Sequence, residues 1–193
     1  MKALSRADLM SLEQYSLERP QFRKQVIDHK AARKVYLGAN ATLYFEDRLT
    51  IQYQIQEMLR IERIFEASGI QDELEAYNPL IPDGSNWKAT FMVEFPDVEE
   101  RKRQLAQLIG IERQTWIQVE GFDKVLAIAN EDMPRETEEK TAAVHFVRFE
   151  LTQGMRQAAL EGAAIHMGID HAHYTHTMTV NETTRLSLVA DLV

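Results

Sequence analysis

Four of the six histidines fall within eleven residues, at His166, His171, His173 and His176, with Asp170 among them. Imidazole is a common metal ligand, and residues at i and i+2 of an extended strand point to one face. If a strand over residues 165–169 runs on, Ile165, Met167, Ile169, His171 and His173 share a side, and the His171 and His173 rings can converge on one metal ion. Such a pair suits iron, zinc or manganese, and equally nickel or copper, with a carboxylate from elsewhere and His145 as a further donor. A second use of the cluster is proton transfer by one histidine steered by Asp170. The plain alternative is a polar surface loop after a short strand, because a His-x-His pair without a fixed third ligand is a weak motif.

The carboxylate that draws notice is Glu62. With Ile51 at zero on a wheel of about 100° per residue, Ile55, Met58 and Phe65 fall within roughly 40° and Glu62 at about 20°, inside the apolar stripe. An ionised carboxylate there is costly unless paired or hydrogen-bonded. Glu62 is therefore expected to be buried, as a metal ligand or as a general acid or base with a raised pKa. Glu66 stands one turn on, and Glu57 points away at about −120° on the same wheel. The catalytic candidates are thus Glu62, Glu57 and Asp170, and the metal-binding candidates His166, His171, His173 and His176. The plain alternative for Glu62 is an ion pair with Arg148 or an arginine of the basic segment before residue 35, or a subunit interface. A di-iron bundle needs Glu-x-x-His on two helices. The sequence has no such tetrad, so it is not itself a ferritin-like oxidase.

Other chemistry is excluded by what the chain lacks. With no cysteine among 193 residues there is no disulfide, thiolate zinc site or cysteine-ligated cluster. Gly-x-Gly-x-x-Gly, Gly-Lys-Ser/Thr, Gly-x-Ser-x-Gly and His-Glu-x-x-His are absent too. The balance of 22 Lys+Arg against 30 Asp+Glu leaves a net charge of −8, which repels nucleic acid and anionic membranes. Charges in the first eight residues and the lack of a long apolar run predict a cytoplasmic chain without a leader or a membrane span.

The elements that must position these residues follow from caps and periodicity. Ser5 with Asp8 opens a short helix, and Pro20 opens a second that reaches about Lys34 and carries Arg23, Lys24, Lys30, Arg33 and Lys34. A hairpin follows over 35–37 and 42–45, turning at Gly38-Ala39-Asn40. Asp47 caps a long amphipathic helix over 48–68 that Gly69 closes, and a short helix follows at 72–77. Residues 88–95, 115–120, 124–129 and 141–151 read as strands. Further helices start at Asp97, Thr152 and Asn181, and residues 131–140 form an acidic loop expected to be mobile. Trp87 and Trp116 are expected in the core or at an interface. The sum is an α+β protein of one domain over residues 1–193, helical to about residue 78 and mainly antiparallel sheet from about 86.

The run from His29-Lys30 through Gly38-Ala39-Asn40-Ala41-Thr42-Leu43-Tyr44-Phe45-Glu46-Asp47-Arg48 to Tyr53-Gln54-Ile55-Gln56-Glu57-Met58-Leu59-Arg60 resembles a bacterial family of unknown function. Members of that family are often encoded beside a rubrerythrin and an iron–sulfur protein related to heterodisulfide reductase. The likeness is most specific over residues 25–66 and extends to Met167-Gly168-Ile169-Asp170-His171 and residues 182–192. It carries no functional residues. It implies an accessory or interaction protein of a redox or peroxide-defence system, with a rubrerythrin-type or iron–sulfur protein as partner; a homodimer is expected separately, from the abundance of apolar helix faces. The alternative is a mononuclear metal enzyme that uses the C-terminal histidines with a buried Glu62. A third reading is a small-molecule sensor with an apolar pocket between helix and sheet.

Overall fold

In the stretch Asn86–Val93 the side chains of Trp87, Ala89, Phe91 and Val93 are buried while Lys88, Thr90 and Met92 are half-exposed. Val144–Glu150 alternates in the same way, the period-two signature of strands with one face in a core. The computed structural model describes residues 2–131, 135, 137 and 140–193. Its strands are β1 (Lys34–Tyr36), β2 (Ala41–Phe45), β3 (Asn86–Val93), β4 (Thr115–Val119), β5 (Val125–Leu126), β6 (Ile128–Ala129), β7 (Val144–Glu150), β8 (Ile165–His171) and β9 (Tyr174–Thr179). They pair antiparallel into two sheets, a larger one in the order β1-β2-β3-β7-β6 and a smaller one in the order β5-β4-β8-β9. Leu43, Phe45, Trp87, Phe91 and Phe149 from the first share one core with Ile117, Val119, Ile165, Met167 and Ile169 from the second.

The helices are α1 (Leu12–Ala31), α2 (Arg48–Glu62), α3 (Ala67–Tyr77), α4 (Val98–Gln107), α5 (Gln153–Leu160) and α6 (Glu182–Val189). The side chains of Asp47, Asp97, Thr152 and Asn181 each accept a backbone N–H of the first turn, as expected of these N-caps. The first three helices form a layer of their own, with Ile51, Ile55, Leu59 and Leu74 in one cluster and Tyr15, Phe22 and Val26 in another. Leu188 of α6 and Met155 of α5 belong to the core of the sheets. Among the described residues no helix is long and apolar enough to cross a membrane. The architecture is the α+β arrangement read from the sequence.

Five local expectations are corrected. The helix that begins at Leu12 runs straight through Pro20, where a new helix was expected, because Pro20 and Ser16 four residues before it are both exposed and the unserved carbonyl meets water. The long helix stops at Glu62, six residues early: Arg63 adopts a left-handed conformation (φ 57°) and the N–H groups of Arg63 and Ile64 both close on the Leu59 carbonyl. Gly69 lies inside α3, where a Cβ would stand 2.7 Å from Ile64 Cγ2, so the glycine serves a close approach and not a cap. The strand expected over 124–129 divides into β5 and β6, which belong to different sheets. Finally, the residues after His171 are not a loop but the turn and second strand of a hairpin, in which His171 pairs with Tyr174. The expected mobile segment 131–140 falls largely outside the described residues.

Candidate functional site

The early end of α2 removes the premise on which Glu62 was singled out. Glu62 is exposed on the last turn of α2, not buried, and Phe65, which was to share its stripe, is exposed beyond the helix end. Glu57 is half-buried and held in a structural network: its carboxylate accepts from Tyr15 Oη at 2.6 Å, from Arg19 Nε and Nη2 at 2.7 and 3.0 Å, and from Arg60 Nη2 at 3.1 Å. The Arg19 hydrogen bonds hold it at about 2, with Tyr15 and Arg60 adding to the pull against desolvation. This carboxylate joins α1 to α2.

The histidines are divided by the pleat of the smaller sheet. His171 is on the inward face of β8 with Ile165, Met167 and Ile169, as the alternation predicted, but His173 sits in the hairpin turn and not on that face. Both His171 ring nitrogens are engaged: Nδ1 accepts the His173 N–H at 3.2 Å, which leaves Nε2 to donate to the Ile109 carbonyl at 3.1 Å. His176 faces inward from β9 opposite Ile169. His166 and Asp170 point the other way, His166 to Thr179 Oγ1 at 2.9 Å and Asp170 to Lys124 Nζ at 2.7 Å, the latter bond lowering the Asp170 pKa. Among the described residues no three of His, Asp or Glu are grouped to hold a metal ion.

A broad cleft lies elsewhere, between the helical layer and the outer face of the larger sheet. It is a cleft of about 760 Å³, walled on one side by Met58, Glu73, Ala76 and Tyr77 and on the other by Ala89, Phe146, Val147 and Ile128. Its walls are apolar and its charges sit in defined places. Glu46, where the chain enters α2, accepts from Thr90 Oγ1 at 2.8 Å and from Thr50 Oγ1 at 2.6 Å. Lys88 on β3 donates to the Pro79 and Ile81 carbonyls at 2.6 and 3.0 Å, and burial lowers its pKa. Directly across the ladder from it, Arg148 grips Glu131 through Nε and Nη2, each at 2.8 Å, and also bonds Glu150. On the helical wall, burial with Glu62 and Asp72 nearby raises the Glu73 pKa. The arrangement offers an apolar slot with an ammonium at one place and a carboxyl group whose pKa is raised at another.

Comparison with known proteins bears on the whole chain. Residues 3–192 match the model of a family described as protein of unknown function (DUF3501). The chain belongs to the DUF3501 family. No curated protein matches it. It is similar to the protein in a crystal structure of a novel protein of unknown function from Burkholderia pseudomallei K96243, determined at 1.90 Å, with 46% identity, a TM-score of 0.94 and 100% of each chain covered.

This DUF3501 chain also contains a polar centre that sequence reasoning missed. Arg33, expected on a solvated basic face, is fully buried, and its guanidinium serves the Phe45, Glu46 and Ser187 carbonyls and both oxygens of Asp191. Asp47, the α2 cap, lies 3.5 Å from Arg33 Nε and 2.5 Å from His29 Nε2. A cavity of about 290 Å³ opens beside these groups. The only sequence signal was Asp47 itself, because its cap role predicts that it is held in place. The arginine that holds it looks like its basic neighbours in sequence.

Proposed function

We propose that this chain is an accessory ligand-binding protein, and that the cleft between α2, α3 and the larger sheet takes an amphipathic small molecule. The observation that carries this reading is the cleft itself. A slot of about 760 Å³ with apolar walls and a few placed polar groups has the size and character of a small-molecule site. Lys88 has three N–H donors and spends two on backbone carbonyls, so the third serves the head of a ligand that accepts a hydrogen bond. The apolar body then lies along Met58, Tyr77 and Phe146. The setting, a redox or peroxide-defence system with a rubrerythrin-type or iron–sulfur partner, is inferred from the family resemblance and says where the ligand is to be sought.

The test is mass spectrometry of small molecules that co-purify with the native chain and with Ala76→Trp. Ala76 is an exposed residue of the cleft wall, so the indole fills the slot from the helical side without entering a core. The expected result is an amphipathic molecule retained by the native protein and lost from the folded variant. The same co-purifying molecules in both, or none in either after incubation with cell extract, would overturn the reading.

A further inference from the structure

We propose that Glu112, Thr141, Ala142 and His145 form a buried binding site for one divalent cation of the manganese type. Glu112 lies in the short 3-10 turn Ile111–Gln114 that leads into β4, and His145 faces inward from β7. Neither side chain has any solvent exposure. His145 Nε2 is 3.0 Å from Thr141 Oγ1, 2.9 Å from the Ala142 carbonyl oxygen and 3.9 Å from Glu112 Oε2. Thr141 Oγ1 in turn is 3.5 Å from Glu112 Oε2. Two donors that share one ion at about 2.1 Å stand about 3.0 Å apart at a right angle and about 3.4 Å apart at a tetrahedral angle. Most of these atoms are already spaced as neighbours in one coordination shell, and only the Glu112–His145 separation must shorten or lie across the ion.

The carboxylate supplies an independent observation. Glu112 Oε1 is buried and has no hydrogen-bond partner among the described residues, and the adjacent Arg113 guanidinium reaches to 3.9 Å from a largely exposed position. A buried oxygen left without a donor costs free energy that protein groups here do not recover. A cation held by both carboxylate oxygens removes that cost.

The surroundings of the imidazole also fit. A metal-bound histidine donates its second ring N–H to an acceptor that fixes the ring. Asn130 Oδ1 stands 3.3 Å from His145 Nδ1, and Asn130 adopts the left-handed region at φ 55°, which asparagine tolerates better than most residues. Its amide nitrogen is 3.0 Å from the same atom, so the carboxamide can serve His145 as donor in the metal-free state and as acceptor in the bound one. One imidazole with carboxylate, hydroxyl and carbonyl oxygens is too rich in oxygen for a structural zinc site or copper and suits manganese(II). The site is separate from the cleft and does not depend on the reading given to it.

The experiment uses the full chain, stripped with a chelator and titrated with Mn²⁺ by calorimetry and electron paramagnetic resonance. One ion per chain is expected, with hyperfine coupling to a single imidazole nitrogen. Glu112→Gln is expected to abolish binding, and Asn130→Ala to weaken it by about 10–100-fold with the fold intact by circular dichroism. In case Glu112→Gln fails to fold, the native chain gives a second readout, an unfolding midpoint that rises with Mn²⁺ concentration. A native chain that takes up no Mn²⁺, or binds it without nitrogen coupling, overturns the site. So does a Glu112→Gln protein more stable than the native one in the presence of Mn²⁺, because the carboxylate then contributes nothing to holding the ion.

Discussion

Arg33 and Asp191 stand 158 positions apart in the chain and meet through two hydrogen bonds, Nη1 to Oδ1 at 3.2 Å and Nη2 to Oδ2 at 2.5 Å, with both side chains almost wholly excluded from solvent. The pair ties the turn between α1 and β1 to the last turn of the chain and gives the C-terminal segment a fixed place. Removing one partner leaves the other charge buried and alone. Asp191→Leu alone is therefore expected to cost about 3–5 kcal/mol, and the double change Arg33→Met with Asp191→Leu to cost less than either single change. Denaturant unfolding of the four proteins checks the cycle.

Two carboxylates give pH dependences of opposite sign. Glu57 is held at about 2 against an ordinary 4.5 by Arg19, so the folded state binds fewer protons than the unfolded one between these values. Its contribution is complete above about pH 4.5 and is lost as the pH falls through 2. In Glu57→Gln the unfolding midpoint is expected to be lower at neutral pH and flatter across that window. Asp191 is raised to about 6 by burial, which outweighs the pull of Arg33, so its contribution is fullest below its ordinary 3.8 and falls as the pH rises through 6. Unfolding followed at a series of pH values separates the two.

Gly168 on β8 lies under the Trp116 ring. A Cβ there would stand 2.3 Å from the His176 carbonyl oxygen and 2.4 Å from Trp116 Cζ2. Gly168→Ala is expected to cost about 1–3 kcal/mol through overpacking. Trp116→Leu in the same chain is expected to recover only part of the loss, because the His176 backbone still obstructs. Thermal unfolding of the single and double variants measures this.

His171→Ala is expected to lower stability by about 1–2 kcal/mol, because it removes the part-buried hydrogen bonds to the Ile109 carbonyl and from the His173 N–H. His173→Ala, at an exposed turn position, is expected to change stability by less than about 0.5 kcal/mol. Equal effects of the two changes would show that the His171 tie carries little of the hairpin's stability.

In the cleft, Lys88→Met keeps the aliphatic stem and removes the ammonium. Affinity for the co-purifying ligand is expected to fall about ten-fold, the loss of one charged hydrogen bond. Titration of the native and variant chains with that ligand checks it. An unchanged affinity would place the ligand head away from Lys88.

The sequence by itself determined the elements whose signals are local. Asp47, Asp97, Thr152 and Asn181 start helices because a side-chain oxygen three residues upstream of an N–H is a short-range arrangement. The alternation through Trp87, Ala89, Phe91 and Val93 is a strand for the same reason, and together these settle an α+β protein built mainly on antiparallel sheet. What only the tertiary structure decided depends on contacts between distant parts of the chain. Glu62 looked buried because a wheel assumes that the helix continues, whereas the turn at Arg63 places it in solvent. Gly69 looked like a cap because the side chain that requires it, Ile64, packs on it only in three dimensions. Arg33 looked like its basic neighbours because Asp191 lies at the other end of the chain, and the cleft and the Glu112–His145 pair likewise arise from segments that sequence proximity does not connect. Burial of a charged group is a property of packing, and packing joins residues that the linear order keeps apart.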